Sequence, residues 1–221
     1  MHTIWLVPAI KIFAFTFAIY NVIKAFYDNR KNLPFIWKVW KRFRFGMLLK
    51  ILVMLCLMFL TFKLLVALSP IFGYGWLNFF SSEGGNILIS PVLGTLSSDS
   101  LVLRCIPTIF LSAFLISLPF MAKLEENIFR RGCHTLSKIT VRSILFGLMH
   151  LIVGIPLGFA IALIIPGFVF ADEYCASYNV FIKTMTEKES RNEAVLVSTT
   201  YHTLMNTLLL GYLIVIAIML I

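Results

Sequence analysis

Two adjacent carboxylates, Glu125 and Glu126, close a long apolar run, and Arg130 follows four residues after the second. Ionisable groups at membrane depth are costly, so they tend to be paired, to face a polar cavity and to mark a working site. Two more pairs share this spacing, Phe146 with His150 and His202 with Asn206. Residues four apart lie on one face of a helix, so each pair can present both its side chains to one cavity. Two carboxylates, an arginine, two histidines and an asparagine are the groups that activate a water and stabilise an oxyanion. A carboxylate screened from bulk water beside an arginine stays ionised yet basic enough to take a proton, and a histidine can hold the same water. The second histidine and the asparagine can donate to the oxygen of a tetrahedral intermediate. A plain solvated helix end would not favour acids here, because carboxylates at a helix C-terminus oppose the macrodipole.

The same inventory raises a metal alternative. Glu125, His150 and His202 are ligand types that hold catalytic zinc with a fourth position open for water. The chain has no His-Glu-x-x-His, in which one helix supplies two ligands and the base. Asn206 and Arg130 have clear roles only without a metal, so the reading is cofactor-free, with zinc as the alternative.

The elements that must carry these groups are membrane helices. Of the 221 residues 60% are hydrophobic and 13% charged, with mean hydropathy +0.93, which excludes an ordinary soluble domain. Twenty-one Phe with few Gly or Pro do not suit a porin-like barrel. Hydrocarbon makes each spanning segment satisfy its own backbone, so the fold class is all-α: a polytopic bundle of about six helices in a single membrane domain, with the polar site near the cytoplasmic side. The net charge of +9 would suit nucleic acid, but Arg30, Lys31, Lys38, Lys41, Arg42 and Arg44 crowd one loop, whereas residues 69–100 contain no Lys or Arg. That asymmetry places the first loop in the cytoplasm and the second outside. Phe35, Trp37, Trp40 and Phe43 alternate with these cations, a pattern for headgroups and anionic lipid; against a transmembrane segment it is a poor platform for single-stranded nucleic acid. Four scattered cysteines imply no disulfide framework, and the N-terminus lacks the pattern of a signal peptide.

In chain order, spans are expected over 3–27, 46–68 and from Leu101 through Arg131, then as two helices, about 141–153 and 157–182, split around Gly154, Pro156 and Gly158. The loop after the second span contains a stretch, 87–93, that suits partial re-entry. A charged segment, Lys183 to Glu193, is expected to precede a final helix from about Ala194, which would put His202 two turns in. His202 meets the carboxylates only if that helix starts on the cytoplasmic side. His2 and His134 fall in loops outside the motifs.

Glu125-Glu126-x-x-x-Arg130, Phe146-x-x-x-His150 and His202-x-x-x-Asn206 together resemble the three ordered motifs of the CAAX-protease and bacteriocin-processing family, which includes type II CAAX prenyl endopeptidases and abortive-infection proteins. The resemblance covers roughly residues 120–210, the core of a region 101–221, while 1–100 matches nothing specific. It implies an intramembrane endopeptidase acting on a membrane-associated peptide or protein. By that resemblance Glu125 is the general base, working with His150 on the water; Glu126 and Arg130 form a supporting ion pair; His202 and Asn206 form the oxyanion site; Phe146 packs behind His150. The small-residue-rich approach to the third motif is missing, replaced by the charged segment. The small size points to a prokaryotic cell membrane. Two other classes compete: a non-catalytic peptide-binding or immunity protein on the same fold, and a proton-coupled transporter, which would need ionisable groups deep in the spans.

Overall fold

The computed structural model describes residues 6–79 and 100–219, and among them the regular structure is entirely helical. The helices are α1 (Leu6–Asn29), α2 (Pro34–Lys41), α3 (Phe45–Leu68), α4 (Leu101–Phe129), α5 (Leu136–Met149), α6 (Leu157–Ala162), α7 (Ile164–Phe181) and α8 (Glu187–Met219). Five segments are long and apolar enough to cross a membrane: Phe45–Leu68, Arg104–Phe129, Leu136–Val153, Leu157–Phe181 and Glu187–Met219. The protein is therefore an all-α, multi-pass membrane bundle. Helix α3 shows why water cannot be its solvent. It buries Ile51, Met54 and Met58 but leaves Leu52, Val53, Leu57, Leu60 and Leu64 exposed, an apolar face that only lipid can cover. The stretch 87–93, read as partly re-entrant, lies outside the described residues.

Contacts between loops fix the two ends of the bundle. At one end Arg42 pairs with Glu193, Arg131 Nη2 donates to Asn192 at 2.9 Å, and Arg142 Nη1 donates to the Arg131 carbonyl at 2.7 Å. This end gathers the cationic loops, as the positive-inside rule expects of a cytoplasmic face. At the other end the Leu157 amide donates to the Tyr74 carbonyl at 3.0 Å, which joins the α5–α6 turn to the segment after α3. Helices α4 and α8 run antiparallel between these ends: Arg131 meets Asn192 at the inner end, and Leu111 and Leu118 pack with Leu210 farther out.

The clearest departures from the sequence expectation are at the start of the final helix and at His150. The final helix begins at Glu187, so most of the charged segment forms its first turns instead of separating it from α7. The cause is a capping arrangement: the Thr186 hydroxyl and amide both donate to Glu189 Oε2, at 2.7 and 3.1 Å, and the Glu189 amide donates back to Thr186 Oγ1 at 3.4 Å. Glu187 and Arg191 add an ion pair one turn apart. His202 therefore lies about four turns into the helix, roughly 22 Å from its start, instead of two. The other difference is at His150, which caps α5 and opens a 3-10 turn over His150–Val153 that ends at Gly154, whose φ is 80°. The long apolar run after it breaks again at Leu163, between α6 and α7.

Glycines set the spacing between α5 and the α6–α7 arm. A Cβ at Gly147 would lie 2.5 Å from the Ala160 carbonyl oxygen and 2.9 Å from the Ile164 amide nitrogen, and one at Gly167 would lie 2.9 Å from the Ser143 carbonyl oxygen. Close backbone approach through small residues is how helices associate where no hydrophobic force draws them together. Gly147→Ala should cost about 1–3 kcal/mol, because beside the Ile164 Cγ1 at 2.7 Å the other two atoms nearest the added Cβ are backbone and cannot swing away. Thermal unfolding in detergent would show this as a lowered midpoint, whereas Gly46→Ala, where nothing lies within 4 Å of the added Cβ, should leave it unchanged.

The inner rim has a pH-dependent element. The His134 ring lies 4.2 Å from that of Tyr178 and 5.6 Å from that of Tyr174. Burial, then the nearby Arg191 and Lys138, hold its pKa below the ordinary histidine value. Protonating His134 thus costs more in the folded than in the unfolded chain. Its contribution to stability is complete above the unfolded pKa of about 6.5 and is lost as pH falls through the lower folded value. His134→Gln should reduce the drop in melting temperature between about pH 7 and pH 5 relative to the native protein.

Candidate active site at the inner end of the bundle

Helix α4 delivers the carboxylates through the way it ends. The amides of Arg130 and Arg131 both donate to the Glu126 carbonyl, at 2.9 and 3.3 Å, and the chain reverses at Gly132 with φ 74°. Glu126 therefore sits one turn inside the helix end, directed at Ser198 and His202 of α8. It is fully buried, as are Arg130 and His202 to within 1%. His202 Nδ1 donates to Glu126 Oε1 at 2.9 Å, and Arg130 Nε lies 3.4 Å from Glu126 Oε2. The Ser198 hydroxyl reaches both Glu126 Oε2 and the Phe170 carbonyl, and its single proton can serve only one at a time.

A buried carboxylate with a guanidinium, an imidazole and a hydroxyl around it is the compensated form of an otherwise prohibitive burial. The bond to Glu126 also fixes the histidine. With Nδ1 committed, the ring turns Nε2 toward Glu125, whose Oε2 stands 3.9 Å away with the Glu125 side chain a third exposed. That gap is too long for a direct hydrogen bond, yet one oxygen atom can lie about 2.8 Å from both groups.

Aromatic rings hold this geometry. Phe170 stacks on His202 with centroids 5.0 Å apart and planes 23° from parallel. Phe146 is wholly buried and meets His202, His150, Phe129 and Phe170 edge to face, with the Arg130 guanidinium 4.8 Å from its centroid. Phe146 is thus a hub shared by both histidines, more than a backing for one. His150 Nδ1 lies 2.8 Å from the Phe146 carbonyl, which makes Nδ1 the protonated donor and leaves Nε2 available. Asn206 lies half-buried one turn beyond His202 on the same face of α8.

The structure brings together Glu125, Glu126, Arg130 and His202, with Phe146 between the two histidines. It does not set His150 beside Glu125 as the resemblance implied: among the described residues the histidine nitrogen within ion-pair distance of Glu125 is His202 Nε2. Nor does it group Glu125, His150 and His202 as a ligand set, since no three His, Cys, Asp or Glu side chains among the described residues cluster as a metal would need. Sequence reasoning missed Ser198 and Phe170. Ser198 could have been found, because Ser198-x-x-x-His202-x-x-x-Asn206 continues one helical face; Phe170 sits in a uniformly apolar stretch and carries no such signal.

Burial pulls the Arg130 pKa below its ordinary value while Glu126 pulls it back, and the guanidinium remains a cation. Its nitrogens are enclosed without a protein hydrogen-bond acceptor of good geometry, and the buried hydroxyls of Ser143, Thr203 and Thr207 are in the same state. No protein-family model, curated protein or solved structure matches the chain.

Proposed function

We propose that the protein is an integral-membrane endopeptidase that hydrolyses a peptide bond of a membrane-associated peptide or protein near the cytoplasmic face, as the resemblance to the CAAX-protease and bacteriocin-processing family suggests. The observation that carries this reading is the 3.9 Å approach of the partly exposed Glu125 carboxylate to His202 Nε2, with the histidine oriented from behind by the buried Glu126. A water between Glu125 and His202 gives its proton to Glu125 as its oxygen adds to the scissile carbonyl. The oxyanion accepts hydrogen bonds from the protonated form of His202 at Nε2 and from the Asn206 amide. Collapse breaks the carbon–nitrogen bond, and the proton on Glu125 passes to the leaving amine. Arg130 and Glu126 keep the machinery in place.

The second reading is a membrane protein that binds a peptide without cutting it. It draws on the complete burial of Glu126, Arg130 and His202, since an internal network of that kind also serves stability alone. Incubating the detergent-purified protein and its Glu125→Gln and Asn206→Ala variants with a pool of membrane-associated peptides, with and without chelator, separates the two. Cleavage by the native protein that both variants lose supports the peptidase. Peptide retained but never cut, by native protein and variants alike, supports the binding protein. Cleavage abolished by chelator and restored by zinc would require a metal site.

A further inference from the structure

A second site lies outside the buried network. A cavity of about 570 Å³ opens at the inner end of the bundle among the α2–α3 turn, α7 and α8, and its cationic lining is Lys41, Arg42, Arg44 and Lys50, against the single acid Glu173. Arg42 is paired with Glu193, and Lys50 Nζ lies 2.6 Å from Glu173 Oε1. That leaves two of the four cations, Lys41 and Arg44, without a carboxylate partner among the described residues. The remaining wall is apolar, with Met47, Val180, Phe181 and Val197. Val180 is 63% exposed, and Phe45 and Leu49, neighbours of the lining residues in α3, are 78% and 61% exposed, so the apolar wall runs on into a face that lipid covers.

We propose that this cavity holds the phosphate headgroup of an anionic phospholipid of the cytoplasmic leaflet. Three features converge on that occupant. The excess cations demand an anion. The volume suits a headgroup and the glycerol below it, within the roughly 300–1,000 Å³ of small-molecule sites. The apolar side gives acyl chains a way out, which a soluble anion would not use. The depth agrees, since the Nζ of the lining residue Lys41 lies 5.5 Å from the centroid of the Trp37 ring, and tryptophan marks the headgroup level. The cavity and the catalytic cluster use different faces of α8: Val197 and Tyr201 line the cavity, while Ser198 and His202 turn to Glu126.

Native mass spectrometry of the full chain in detergent tests this, with phosphatidylglycerol and phosphatidylcholine of matched chains as probes and inorganic phosphate as competitor. Phosphatidylglycerol should be retained in preference to phosphatidylcholine. Lys41→Gln with Arg44→Gln, which breaks no ion pair, should weaken its retention by about fivefold per cation, roughly 25-fold in all, and Lys63→Gln at the far end of α3 should not change it. Equal retention of the two lipids, or retention unaffected in the double variant while its melting temperature matches the native one, would overturn the proposal. So would full displacement by inorganic phosphate, which would make the cavity a site for a soluble anion.

Discussion

Arg130→Met is expected to destabilise the protein by about 3–5 kcal/mol, among the largest effects of any single substitution in the chain. It leaves the Glu126 carboxylate fully buried with only His202 and Ser198 to compensate its charge. Glu126→Gln should be damaging for the converse reason, since it leaves the enclosed guanidinium alone, even though the Gln oxygen can still accept from His202 Nδ1. The double variant Glu126→Gln with Arg130→Met is the informative one. Replacing both members of a buried pair by neutral groups of similar volume is often neutral, so it should regain most of what either single change loses. By thermal unfolding the single variants should melt about 6–20 °C below the native protein, with the double variant well above both. A double variant as unstable as the sum of the singles would show that the two residues act independently and that the pair is not the clamp of the α4 terminus.

Glu125→Gln should do the opposite, leaving the fold intact and removing the proposed peptidase activity. The side chain is a third exposed and approaches His202 at a distance that ties neither down, so little stability depends on it. As the group proposed to take the proton from water, it should be worth about 10²–10⁴ in rate, and the amide cannot substitute for it. The contrast with its sequence neighbour is sharp. Adjacent residues on a helix point about 100° apart, which is why one glutamate is enclosed against Ser198 and His202 of α8 while the other reaches the partly open side. A Glu125→Gln protein that melts like the native one yet cleaves normally would remove Glu125 from the mechanism and throw the role onto His202 or His150.

Much of this arrangement could be read from residue spacing, and the rest depends on packing that spacing does not contain. The span of α3 follows from its unbroken apolar run, and the Glu126–Arg130 pair from a four-residue separation on one helix. The start of α8 is legible in Thr186-x-x-Glu189, a capping signal inside a charged segment that otherwise reads as a connection between helices. The choice of His202 over His150 as the partner of Glu125 was not readable. It depends on how far α5 is rotated and how deeply it sits against α6 and α7, and that is set where Gly147 meets Ala160 and Gly167 meets Ser143. No motif within a single helix encodes a distance between three helices.

The central claim is that water attacks a peptide carbonyl at Glu125. The most direct measurement is cleavage of a membrane-associated peptide pool by the purified protein in water enriched in oxygen-18, with the product termini read by mass spectrometry. Glu125-dependent hydrolysis predicts one heavy oxygen in each new carboxyl terminus, present with the native protein and with chelator, and absent with Glu125→Gln. Labelled termini that persist in Glu125→Gln, or no labelled terminus from any peptide with the native protein, would contradict it.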